Sequence, residues 1–122
     1  MTPNPYILPG IDLPSEERII AAVCRVYGIH PDQLRSKRRF RDYVEPRHIA
    51  MSLIKHCNGK SFEDIADLFN RDHSTVLYAV RTVSSLVANN KEFRQSVEKV
   101  INEVLSTPED RRRLIRKILK QN

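Results

Sequence analysis

The strongest constraint on how this chain folds lies between residues 61 and 87. Ser61-Phe62-Glu63-Asp64 has the S-x-x-D form of a capping box, and apolar Ile65, Ala66, Leu68 and Phe69 follow it at helical spacing. A second helical pattern comes next, with Val76, Val80, Val83 and Val87 recurring at intervals of three or four. Only Asn70, Arg71 and Asp72 separate the two patterns, so the helices must meet across a tight turn, with Asp72 placed to cap the second. A short capped helix, a tight turn and a longer helix with an inward valine stripe form the pattern of a helix-turn-helix, whose second helix can enter the major groove of DNA. Many helical bundles contain such pairs, so the side chains that the pair exposes must decide.

The flanking segments also read as helices, and none reads as a strand. Ser15 with Glu16 and Glu17 makes an N-cap and an acidic first turn; Ile19, Val23, Val26 and Tyr27 share a face, and Gly28 stops the helix. His30-Pro31 opens a short turn ending near Leu34. The segment RSKRRFRDY, residues 35–43, has no apolar period and is predicted to be a loop. Glu45-Pro46 is the expected start of the next helix, with Ile49, Ala50, Leu53, Ile54 and Cys57 inward and Asn58-Gly59 ending it. Asn89-Asn90 breaks the chain before a helix marked by Phe93, Val97, Val100, Ile101, Val104 and Leu105. A last start at Ser106-Thr107-Pro108 leads into a stripe of Leu114, Ile115, Ile118 and Leu119 opposite Arg111, Arg112, Arg113, Arg116, Lys117 and Lys120. Pro3, Pro5, Pro9, Gly10 and Pro14 deny the first 14 residues a helix. The expectation is an all-α helical bundle: a proline-rich arm over 1–14, a helix-turn-helix domain over 15–105, and a basic amphipathic helix over 106–122.

Charge narrows the partner. The net +6 is concentrated in residues 35–47 and 106–122, each at +4 with six basic and two acidic residues, while 1–34 carries −2 and 48–105 is neutral. Localised positive charge suits a polyanion better than a uniformly basic surface would. No run approaches the roughly 20 apolar residues that span a bilayer, and MTPNPYILPG lacks the basic and apolar regions of a signal peptide, so a cytoplasmic, nucleoid-associated protein without membrane contact is expected. Cys24 and Cys57 fall on apolar helical faces with no C-x-x-C pair and no histidine at ligand spacing. Buried thiols are therefore expected in place of a disulfide or metal site, and no metal, cofactor or small-molecule substrate is expected.

The valine stripe turns His73, Ser74, Thr75, Tyr78 and Arg81 toward the helix start and the exposed side. Short hydroxyls and a methyl suit base edges and thymine methyls, imidazole donates or accepts in the groove, and free N–H groups at a helix start attract phosphate. The plainer reading makes Asp72 and Thr75 mere caps and His73 an ordinary exposed residue. Catalysis is disfavoured: Asp72, His73 and Ser74 look like triad members, but consecutive helical residues point about 100° apart and cannot form the required hydrogen-bonded chain. An RNA-reading surface is disfavoured because Phe40, Tyr43 and Tyr78 are scattered instead of arrayed for base stacking.

Residues 36–83, SKRRFRDYVEPRHIAMSLIKHCNGKSFEDIADLFNRDHSTVLYAVRTV, resemble the C-terminal DNA-binding domain of the bacterial replication initiator DnaA. The motifs are the basic SKRR loop, the PRH segment opening a helix, and I-A-x-x-F spacing into RDHSTV; the similarity extends from about Glu16 to Leu105. The resemblance implies a Trp-repressor-like helical fold that binds double-stranded DNA at DnaA boxes and serves replication or its regulation. It implies a minor-groove loop of Lys37, Arg38, Arg39 and Arg41, with Arg39 entering the groove. It further implies major-groove contacts from Arg71, Asp72, His73, Ser74, Thr75 and Tyr78, and phosphate contacts from Ser61, Arg47, Lys55 and Arg81. That division agrees with groove dimensions, since guanidinium groups fit a narrow negative groove and a helix fits only the wide one.

Three departures from the family pattern stand out. Asn70 takes the place of a glycine pair before RDH, Tyr78 stands where histidine is common, and Thr82 where a charge is usual. The chain also has no G-x-x-x-x-G-K-[ST] loop, so it lacks the ATPase signature of the initiator. Met1, the proline-rich lead and the added basic helix make a standalone protein reusing this module the expectation over an excised domain. A transcriptional regulator, or an RNA or protein-interaction module on the same fold, is the alternative. For the basic tail the readings are packing on the domain, extra phosphate contacts, or a membrane-surface or protein-partner helix.

Overall fold

The computed structural model describes residues 14–36 and 41–120. Those residues form seven helices and no strand: α1 (Glu16–Tyr27), α2 (Pro31–Arg35), α3 (Arg41–Asn58), α4 (Phe62–Leu68), α5 (His73–Asn89), α6 (Lys91–Val104) and α7 (Pro108–Leu119). The all-α expectation holds. The segments 1–13, 37–40 and 121–122 lie outside the described residues, and with them nearly all of the expected proline-rich arm.

Local chemistry sets the boundaries. Ser15, Ser61, Asn90 and Thr107 cap α1, α4, α6 and α7 through side-chain oxygens that accept from the backbone N–H three residues on. His30 and Gln33 form a reciprocal capping box at α2. Gly28 ends α1 at φ 66, a left-handed conformation that glycine adopts without steric cost.

One boundary departs from expectation. α3 begins at Arg41, so Arg41, Asp42 and Tyr43 are helical, not loop, and Pro46 lies inside the helix. Tertiary hydrogen bonds fix this added turn. The Tyr27 hydroxyl donates to the Glu45 carboxylate at 2.6 Å, and Gln33 Nε2 donates to the Tyr43 hydroxyl at 3.0 Å. Those partners lie far off in sequence, which is why apolar periodicity does not reveal the turn.

α3 and α5 form the centre of the bundle. α1 and α2 pack on α3, α4 closes against α5, and α6 bridges α1 and α5. The valine stripe of α5 belongs to the same buried core as Ile49, Leu53, Ile54 and Ile65. α7 joins that core, with Leu114, Ile115 and Ile118 buried and its helix packed on α5 and α3. Both cysteines are buried free thiols, and burial pushes Cys57 up to about 12. His56 is wholly buried on α3; desolvation, aided by the charges of Lys117 and Lys55, pushes its pKa down to about 4, so its ring is neutral in the native protein near pH 7.

Candidate nucleic-acid interface

The turn between α4 and α5 is built around one strained residue. Asn70 sits at φ 54, among the few side chains that tolerate the left-handed region. The bend lets Arg71 N–H donate back to the Ala66 carbonyl at 2.8 Å and starts α5 at His73. Asp72 occupies the N-cap position, but its carboxylate makes no cap hydrogen bond; the Asp72 carbonyl accepts from Thr75 N–H at 3.0 Å instead. The anticipated Asp72 side-chain cap is thus absent, and the carboxylate is exposed at the helix tip.

His73, Ser74 and Arg81 are exposed and Thr75 is half-buried, so the polar side chains expected on the outer face of α5 do lie together there. Tyr78 is 63% exposed and meets the His48 ring edge-on, the centroids 5.8 Å apart at 78°. Burial, with the nearby charge of Arg47, lowers the His48 pKa and favours a neutral ring behind Tyr78. Ser61 is exposed at the start of α4, its hydroxyl oxygen accepting from Asp64 N–H at 3.0 Å.

The root of the basic segment is held by two guanidinium groups. Arg47 donates through Nε to the Leu34 carbonyl at 2.8 Å and through a terminal nitrogen to the Ser36 carbonyl at 2.9 Å. Arg71, from the α4–α5 turn, donates to the same Ser36 carbonyl at 2.6 Å. One oxygen therefore ties the residue where the basic segment leaves α2 to the start of α5. Burial first, and the neighbouring Arg71 charge second, hold the Arg47 pKa below its usual value.

Arg47 and Lys55, expected at phosphates, are both buried here with donors on carbonyls of the chain. Arg47 is 4% exposed and directed at carbonyls. Lys55 is 5% exposed, donates through Nζ to the Lys60 carbonyl at 2.6 Å, and lies 4.3 Å above the Phe62 ring. A signal for both was present in the helical period: Arg47, Met51, Ile54 and Lys55 share one face of α3, and that face is buried. Lys37, Arg38 and Arg39 lie outside the described residues, and Arg41 is described only as the first residue of α3. Sequence reasoning also missed a groove of about 820 Å³ beside Tyr78, lined by Tyr27, Tyr43, Glu45, His48 and Phe93 among others. No cluster of three or more histidine, cysteine or acidic side chains suited to a metal occurs among the described residues, and no helix among them is long and apolar enough to cross a membrane.

The family model described as the bacterial dnaA protein helix-turn-helix matches residues 16–83, from the start of α1 into α5. A curated relative, the chromosomal replication initiator protein DnaA of Synechococcus sp. (strain JA-2-3B'a(2-13)), is 36% identical over 102 residues. The similarity covers 78% of this chain and 22% of that protein, so the chain spans about a fifth of the relative's length.

Proposed function

Because the chain belongs to the bacterial DnaA helix-turn-helix family, a DNA-binding module with no catalytic role, we propose that it binds duplex DNA selectively at DnaA-box-like sites and acts in replication or its regulation. In this reading His73, Ser74, Thr75 and Tyr78, framed by Arg71 and Asp72, address base edges in the major groove. Lys37, Arg38, Arg39 and Arg41 serve the adjacent minor groove, and Ser61 and Arg81 meet phosphates. Arg47 and Lys55 hold the frame, since their donors are directed at carbonyls of the chain itself. A nucleoid-associated, cytoplasmic location follows from the same reading.

The observation that carries the proposal is the shared Ser36 carbonyl. It joins the root of the basic segment to the polar tip of α5, which is what a protein addressing two neighbouring grooves requires.

Selection of bound duplexes from a random pool supplies the test site. Against that site His73→Ala and Thr75→Ala each lose about 1–3 kcal/mol of binding while affinity for random duplex stays nearly constant. Equal losses on both duplexes would refute the base-reading assignment. With each of the five cations Lys37, Arg38, Arg39, Arg41 and Arg81 neutralising one phosphate, affinity falls by roughly a few hundredfold between about 50 and 200 mM salt; a flat salt dependence would refute duplex binding through the basic surfaces.

A further inference from the structure

A second cationic surface lies between α6 and α7, built wholly of residues beyond position 83, where the family match ends. It is a groove of about 350 Å³ whose lining combines apolar Ile101, Ile115 and Leu119 with four arginines, Arg94, Arg111, Arg112 and Arg116, and one acidic residue, Glu98. Arg94 is engaged by Glu98 at 3.3 Å, but the guanidinium groups of Arg112 and Arg116 have no hydrogen-bond or ion-pair partner among the described residues. They stand four residues apart on α7, one helical turn, and both are exposed.

We propose that this groove docks an acidic amphipathic helix of a partner protein. The apolar part of the lining distinguishes the site from a phosphate contact, which needs charge and no apolar lining. Two unpaired guanidinium groups one turn apart match carboxylates one turn apart on a helix, each able to accept two parallel N–H bonds. The walls are themselves helices, so the groove is shaped for a third helix laid between them, its apolar positions inward. Charge supports the assignment, since residues 106–122 carry +4. The chain's own first 14 residues make a poor occupant: they hold one acidic residue, Asp12, and are interrupted by prolines.

The test uses the full chain and a fluorescent, helix-stabilised peptide with leucines on one face and glutamates flanking them. A control peptide of identical composition has its leucines dispersed around the helix. The amphipathic peptide is expected to bind about tenfold or more tightly than the control, and the double variant Arg112→Gln/Arg116→Gln to lose about tenfold in affinity for it. The variant's helical circular dichroism and its affinity for duplex DNA at 150 mM salt should stay within about twofold of the parent, a spread of under 1 kcal/mol. Equal binding of the two peptides would overturn the groove as a docking site. A parallel loss of duplex affinity would assign the arginines to DNA, and self-association of the parent that disappears in the variant would assign the groove to a second copy; either result overturns the proposal.

Discussion

The backbone at Asn70 sets the angle between α4 and α5 with a single left-handed residue. Glycine adopts that conformation freely, whereas a β-branched side chain meets steric resistance there. Asn70→Gly should therefore change the free energy of unfolding by no more than about 1 kcal/mol, and Asn70→Val should lower it by about 1–2 kcal/mol, read from urea midpoints. His56 makes a second single-residue test. Its pKa lies at about 4 in the native protein against 6.5 when unperturbed, so below pH 6.5 the unfolded chain takes up a proton that the native chain refuses. Its contribution to stability is complete above pH 6.5 and is lost as the pH falls toward 4, by roughly 3 kcal/mol at full shift. Replacing His56 with leucine should flatten that part of the stability–pH profile measured by urea unfolding.

At the scale of elements, the helices with local caps and clean apolar period were legible in the sequence, and those held by distant partners were not. The Gly28 stop, the His30-Pro31 turn, the Ser61 cap and the valine stripe of α5 all appear where local rules put them. The extra turn of α3 was hidden because its hydrogen bonds reach back to Tyr27 and Gln33. The polar face of α5 was legible for the same reason as its buried stripe, since one period fixes both. Arg47 and Lys55, expected at phosphates from their charge, lie on the inward side of the helical period. Arg47→Leu leaves the Leu34 carbonyl without its donor and Ser36 with only one, and should reduce unfolding free energy by about 1–3 kcal/mol. It should also weaken binding to the selected duplex below the melting range, because the basic segment loses its anchor; unchanged affinity would remove Arg47 from the frame.

Over the whole molecule, the apolar stripe of the basic tail closes the core while its arginines line a separate groove, so a segment that looks like a single charge run serves two surfaces. Leu114 is fully buried where α7 meets the bundle. Leu114→Ala should cost about 2–5 kcal/mol in thermal or urea unfolding, a loss that a loosely attached tail would not show. The oxygen shared by Arg47 and Arg71 has a consequence beyond stability. Ser36, at the root of the basic segment, and Arg71, at the start of α5, are tied through one atom, which under the two-groove proposal leaves the spacing of the two footprints on a double helix little freedom. Under that proposal, a site with the right bases but altered twist between the footprints should be held less firmly.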